Sequence, residues 1–300
     1  MIYDCVIIGG GPAGLNAALV LGRSRRKIAL VDANQPRNAV THASHGYLTQ
    51  DGVSPSEFRR IAYEEIVRYP TVEHHIDKVL DVHKTEQGFL VRTLHKEFTT
   101  KKLLVATGLK EILPDIGGIK EFYGKSVFYC PYCDGWEMRD RQLVVVSHHP
   151  QVFHFAKLLS NWSRDLLICT NGKSILTEEE TQELKANKIS VTQKPVQSFC
   201  GTNGQLEEVV WTDGTRTKRT GAFINPQWFP QLDFLKQIPI EKNDQAAILT
   251  DAMGKSTTPG LFAAGEATTG TPTQLIVAAA AGSLAATSIN AELTMERFRI

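Results

Sequence analysis

The N-terminal residues Ile2 to Ile8 form an apolar run broken only by Asp4, and Gly9-Gly10-Gly11-Pro12-Ala13-Gly14 follows at once. Such a run, bounded by glycine, predicts a strand buried on both faces of a parallel sheet. A helix is predicted from about Ala13 to Arg23, then a strand over Lys27 to Val31 that ends at Asp32. This strand–turn–helix–strand–acid order constrains the chain more than any other stretch. Gly9 makes the tight turn, Gly11 lets a pyrophosphate approach bare backbone, and Gly14 packs helix on strand. The helix N-terminus faces the phosphates. Asp32, 18 residues past Gly14, suits a ribose hydroxyl. The pattern predicts an α/β fold around a dinucleotide site; a glycine turn that only packs is the alternative.

His42 to Tyr47 reads as a loop. Ser54, Pro55 and Glu57 predict a helix start with a capping box, and Phe58, Ile61, Ala62, Ile66 and Val67 supply an apolar face. Strands over 72–75, 78–82, 88–93 and 97–99 predict a small antiparallel insertion. Lys102 to Val105 reads as a further strand, ending in the small-residue turn Ala106-Thr107-Gly108. Pro114 to Gly124, rich in Gly and Pro, reads as a linker.

Cys130-Pro131-Tyr132-Cys133-Asp134-Gly135 follows. Two cysteines at this spacing can close and reopen a disulfide, and the adjacent carboxylate can shuttle a proton. Half of a zinc site is the competing reading, but no second Cys-x-x-Cys or Cys-x-x-His exists to complete one, so no metal is expected. Leu143 to Val146 is a second buried strand, yet Ser147-His148-His149-Pro150-Gln151 stands where another glycine turn would be expected. No glycine occurs between Gly135 and Gly172, and Lys173 is the single cation after the next strand. A helix (152–159), a strand (165–169), a helix start at Thr177, and strands over 189–191, 206–211 and 216–224 complete this region. Strand-like stretches at 247–250 and 260–263 precede Ala264-Gly265-Glu266-Ala267, and a long helix runs from Gln274 to about Leu293.

At 300 residues, two domains are expected. The net charge of +1 gives no electrostatic case for a nucleic-acid or membrane partner, and no apolar run is read as reaching the ~18 residues of a membrane span. Five cysteines, with only Cys130 and Cys133 close together, and a start that lacks a positive leader point to a cytoplasmic protein.

Taken together, Gly9-x-Gly11-x-x-Gly14 with Asp32, Ala106-Thr107-Gly108, Cys130-x-x-Cys133-Asp134-Gly135, and Phe262-Ala263-Ala264-Gly265-Glu266 with Gln274 resemble the low-molecular-weight thioredoxin reductases of the pyridine nucleotide–disulfide oxidoreductase superfamily, over essentially the whole chain. The resemblance implies two Rossmann-like, three-layer ββα domains, the second inserted in the first. Residues 1–112 and 241–300 would bind FAD. Residues 113–240 would carry the cysteine pair and normally NADPH. It also implies a homodimer. FAD contacts would fall on Gly9, Gly11, Pro12, Ala13, Gly14, Asp32, Ala106, Thr107, Gly108, Gly265, Glu266, Gln274 and Leu275. Cys133 would be the flavin-side thiol, Cys130 the thiol that meets substrate, and Asp134 the general acid/base.

The chain departs from the family at the missing second glycine turn, at the missing basic cluster near 170–173, at Glu266 in place of the usual aspartate, and at Thr273 in place of arginine. With Cys-Pro-Tyr-Cys, Gly135-Trp136-Glu137 and Thr273-Gln274, it looks more like the dithiol-oxidase branch. The expected function is therefore FAD-dependent thiol–disulfide exchange without NADPH at the usual site. Electrons would come from a small dithiol and leave to oxygen, or come from a ferredoxin or flavodoxin and leave to a disulfide such as that of a thioredoxin-like protein. A conventional NADPH-dependent reductase and a non-enzymatic flavin sensor are the alternatives. His45 reads as a solvated loop histidine, with a base beside the flavin as the sharper alternative.

Overall fold

The computed structural model describes Met1 to Phe298. Strand β1 (Ile2–Ile8) leads through the glycine turn into α1 (Pro12–Arg23) and β2 (Ile28–Asp32). Helix α2 (Pro55–Ile66) and strands β3 (Val72–Ile76), β4 (Val79–Thr85), β5 (Gly88–Thr93) and β6 (Glu97–Val105) follow. Alternation along β1 shows why the strand is apolar throughout. Cys5 and Ile7 face the helical layer of α1, while Val6 and Ile8 join Val82, Phe89 and Val91 of the β4–β5 hairpin. Both faces are covered, so neither parity can be polar.

Three expectations need correction here. The stretches 97–99 and 102–105 are one strand: between them Thr100 is buried and Lys101 turns its ammonium out to Asp4 (3.0 Å), so this polar pair does not break it. The expected antiparallel insertion is smaller and not separate: β3 pairs parallel with β2, and only the β4–β5 hairpin is antiparallel, continuing the main sheet through β6. The capping box at Ser54 is half made: Ser54 Oγ accepts the Glu57 N–H, but the Glu57 carboxylate turns to Arg60.

Strand β7 (Leu109–Ile112) leaves this sheet for a second one. The segment 114–124, expected to be a linker, buries Ile116, Ile119 and Phe122 and forms a short helix, α3 (Ile119–Phe122). Its Gly and Pro content conceals an apolar face that covers the second core. Then come β8 (Val127–Phe128), α4 (Pro131–Asp134), β9 (Leu143–Val146), α5 (Val152–Leu159), β10 (Leu166–Cys169), α6 (Glu178–Ala186) and β11 (Ser190–Thr192). Helix α6 starts in a complete capping box between Thr177 and Glu180. An antiparallel sheet, β12 (Val196–Thr202), β13 (Gln205–Trp211) and β14 (Arg216–Lys218), packs over one face, and β15 (Gly221–Ile224) returns to the parallel sheet. The expected single strand 216–224 is thus two strands in two sheets. The parallel order is β11-β10-β9-β15-β8. Strand β16 (Gln227–Pro230) pairs antiparallel with β7, so the outgoing and returning chain form one ribbon.

The chain then completes the first sheet with β17 (Leu261–Ala263), parallel to β6, followed by α7 (Glu266–Thr269) and α8 (Leu275–Phe298). The stretch 247–250 is not a strand; it makes only the isolated bridges Lys242–Ile248 and Thr250–Ser256. By length and composition α8 could cross a membrane, contrary to the reading that no stretch qualifies. Its small residues Ala278, Ala279, Gly282, Ala285 and Ala286 are buried in the core formed with α1. The architecture is the predicted mixed α/β fold: the second main sheet is all parallel, and the first is parallel apart from its β4–β5–β6 meander.

Candidate active site

At the end of β1 the chain turns so tightly that backbone packs on backbone. A Cβ on Gly9 would lie 2.3 Å from the Ala106 carbonyl oxygen, and one on Gly14 would lie 1.9 Å from the Gly9 carbonyl oxygen. A Cβ on Gly11 would meet nothing within 4 Å. Gly9 and Gly14 therefore build the turn, while Gly11 borders open space. Asp32, at the end of β2, is buried behind the turn. Its Oδ1 accepts the Gly10 N–H at 3.0 Å, and its Oδ2 accepts Arg59 Nη2 at 2.7 Å and the Tyr63 hydroxyl at 2.8 Å. Burial alone would raise this carboxyl, but those three donors and the Arg59 charge outweigh it and hold the pKa below the usual range.

The turn opens on a cavity whose wall brings together Gly9, Gly11, Pro12, Ala13, Asp32, Ala106, Thr107, Gly108, Gly265, Glu266 and Leu275. Gly14 lies beneath, in the helix–strand contact. Gln274 borders an adjoining cavity together with Cys133 and Asp134, and the two cavities share Arg37, Asn38, Thr273 and Leu275. Residues 9 to 275 of the sequence thus converge on one continuous cleft.

On its far side stands the cysteine pair, closed as a disulfide at the start of α4. Cys130 is the N-cap residue, and its Sγ accepts the Cys133 N–H at 3.2 Å. Cys133 borders the cleft and Cys130 does not. Asp134 follows on the same turn. Burial first, and then the Glu137 carboxylate, push the Asp134 carboxyl up to about 7. His45, which has no local partner in the sequence, lies on the same cleft between two carboxylates: Nε2 is 3.6 Å from Glu137 and Nδ1 is 3.6 Å from Asp51.

The sequence profile described as pyridine nucleotide-disulphide oxidoreductase matches residues 3–282. The chain belongs to this family. It is 30% identical to a probable thioredoxin reductase of Arthroderma benhamiae, over 98% of this chain and 81% of that one. Among solved structures it is similar to a putative thioredoxin reductase from Bacillus anthracis, at 41% identity and a TM-score of 0.95, covering 99% of this chain and 100% of that one. It is also similar to HlmI, at 33% identity and a TM-score of 0.92, covering 98% and 93%. The chain is thus a flavin-dependent disulfide oxidoreductase of thioredoxin-reductase type.

The family implies FAD, and the cleft fits it. Bare backbone at Gly11 faces open space at a helix N-terminus, as a pyrophosphate requires. Two buried polar atoms on the shared wall, Arg37 Nε and Thr273 Oγ1, have no hydrogen-bond partner among the described residues, as expected where a ligand supplies acceptors. When bound, FAD would supply a group that takes up and gives back two electrons. Glu266 reaches into this wall. Its Oε1 accepts Arg37 Nη2 at 2.6 Å and the Thr273 N–H at 3.0 Å, and its Oε2 lies toward Gly108.

The second parallel sheet treats the corresponding turn differently. Ser147 Oγ accepts the His149 N–H at 3.1 Å, and His149 Nδ1 accepts the Gln151 N–H at 3.2 Å, just ahead of α5. Two amides of this turn, those of His149 and Gln151, are occupied by its own side chains.

Arg37, Tyr129, Trp228, Glu111 and Tyr123 were not singled out from the sequence. Arg37 Nη1 donates to the Tyr129 hydroxyl at 3.1 Å, and the guanidinium carbon stands 5.0 Å from the Trp228 ring centre. Tyr123 donates to Glu111. Burial is the main reason the Glu111 carboxyl is raised above its ordinary range. No motif marks these residues, since Arg37 and Tyr129 are 92 positions apart.

Proposed function

We propose that this family member binds FAD in the cleft and exchanges electrons between the flavin and a substrate dithiol through Cys130 and Cys133, without hydride from NADPH at the second sheet. The observation that carries this reading is the self-capped turn Ser147–Gln151: the amides of His149 and Gln151 are engaged by its own side chains, and side chains stand where a pyrophosphate needs bare backbone. The residues there do not fit NADPH.

In this reading residues 1–112 and 241–300 hold FAD and residues 113–240 present the disulfide. One substrate thiolate attacks Cys130 Sγ, breaking the Cys130–Cys133 bond and releasing Cys133 as a thiolate. The second substrate thiolate attacks the substrate sulfur of that mixed disulfide, which releases Cys130 and closes the substrate disulfide. Asp134, poised about pH 7, takes up and returns a proton. Cys133, on the cleft wall, passes the two electrons on, and the Cys130–Cys133 bond re-forms. Oxygen, taking two electrons and two protons to peroxide, restores the oxidised protein. The substrate is a small dithiol, and the protein works as a cytoplasmic homodimer. The competing reading is a reductase of a thioredoxin-like protein, which the names of its relatives favour.

The test is anaerobic. Dithiothreitol should bleach the flavin of the purified holoprotein, NADPH and NADH should not, and air should restore the colour with release of peroxide. Rapid bleaching by NADPH would overturn the proposal.

A further inference from the structure

One guanidinium touches both sides of the cleft. Arg37 lies in a short 3-10 turn after β2 (residues 37–40), on the side of the first sheet. It holds Glu266 Oε1 at 2.6 Å, and Glu266 in turn accepts the Thr273 N–H just ahead of α8. In the other direction it donates to the hydroxyl of Tyr129, the residue next to Cys130, at 3.1 Å. Its guanidinium carbon lies 5.5 Å from the Tyr129 ring centre and 5.0 Å from that of Trp228 on β16. Those two rings meet edge to face at 4.9 Å. The side chain is only 20% exposed, so solvent screening is weak.

The two sides meet once more nearby: a Cβ on Gly124 would lie 2.5 Å from the carbonyl oxygen of Val40, the end of the Arg37 turn, so only glycine lets the two backbones approach there. Only a planar, forked cation satisfies a carboxylate in one direction and a phenol in another while stacking on an indole; the point charge of lysine does not.

We propose that Arg37 is a positioning residue that holds the Tyr129–Cys130 arm against the cleft, so that Cys133 stays in register with the flavin throughout the reaction. This rests on the reading that dithiol electrons enter at the cysteine pair. Arg37 takes no part in bond making. It prevents the reduced cysteine pair from moving off the cleft wall between its reduction by substrate and the transfer of that electron pair to the flavin. In a protein that receives nothing at the second sheet, a fixed arm costs no step of the cycle.

The test separates those two events in the holoprotein. Arg37→Met, Arg37→Lys and Tyr129→Phe are mixed anaerobically with dithiothreitol. Reduction of the pair is followed by quenched alkylation and mass, and electron arrival by flavin absorbance. In Arg37→Met, compared with the wild type at equal bound flavin, bleaching should slow by about tenfold or more relative to reduction of the pair. Arg37→Lys should not rescue it. Tyr129→Phe, which keeps the ring and loses only the hydroxyl, should slow bleaching by a smaller factor with flavin fully bound. Bleaching at the wild-type rate in both Arg37→Met and Tyr129→Phe would overturn the proposal. So would flavin loss in both variants, which would make Arg37 a cofactor-holding residue only. If dithiothreitol fails to bleach the wild-type protein, it is the proposed function that fails.

Discussion

His149 Nδ1 accepts the backbone N–H of Gln151 at 3.2 Å, at the strand-to-helix turn where a nucleotide-binding protein keeps that donor for phosphate. A ligand at a hundred times its Kd stabilises a folded protein by about 2.7 kcal/mol. We therefore expect thermal unfolding of the holoprotein to be unmoved by about 1 mM NADPH, well above the micromolar Kd of a working site. A rise of several degrees would show a nucleotide site that the turn does not suggest.

The glycines of the first turn should separate by role. Gly14→Ala places a methyl 1.9 Å from a carbonyl oxygen and should cost about 3 kcal/mol or more, read as loss of soluble protein or a steep fall in unfolding midpoint. Gly11→Ala meets nothing within 4 Å and should leave stability within about 1 kcal/mol of wild type. Its flavin affinity should nevertheless fall about tenfold or more, measured by flavin release on dilution. Full flavin retention in Gly11→Ala would place the phosphates elsewhere.

Asp134 gives a pH signature with a definite sign. Its folded pKa, about 7, lies above the ordinary 3.8, so the folded state binds more protons than the unfolded state between those values. Stability from this residue is therefore lost as pH rises from about 4 to about 7, and is flat beyond. Asp134→Asn should raise the unfolding midpoint more at pH 8 than at pH 4, while slowing thiol–disulfide exchange and removing the activity inflection near pH 7. Equal midpoint shifts at both pH values would contradict the burial of this carboxyl.

Removing Asp32 would strand the Arg59 guanidinium in a buried site. A buried charge deprived of its partner costs about 3–5 kcal/mol. Asp32→Ala should lower stability by that order in denaturant titrations, even without cofactor. A merely weakened flavin affinity at unchanged apo stability would assign Asp32 to the ligand instead.

The legible parts of this molecule were those with a local signature. Glycines at fixed offsets, a small-residue helix and two cysteines three positions apart each announce their chemistry within a dozen residues, and the parallel strands follow from runs such as Leu143–Val146. What escaped depends on distant pairing. Asp32 reads as an acceptor for a ribose hydroxyl, and nothing local shows that Arg59 and Tyr63 of α2 also hold it. Thr100 and Lys101 read as a break between two strands until Tyr3 and Phe89, from distant strands, pair with Thr100 on either side. His45 reads as a loop residue because Glu137 comes from the other side of the cleft. Ile119 and Phe122 are hidden by the glycines and prolines around them.

The placing of β17 has a consequence for how the chain is made. Its partner β6 ends at Val105, yet β17 begins only at Leu261, and α8, which covers α1, comes later still. A ribosome releasing this chain from the N-terminus therefore presents the first sheet unfinished, with the apolar side of α1 uncovered, while the whole second sheet emerges. The second sheet and its helices have all their strands in one continuous stretch, so they are placed to fold first, and the outer unit closes around them only at the end of synthesis. A chain stopped before Leu261 would keep a finished inner unit attached to an outer one without its closing strand.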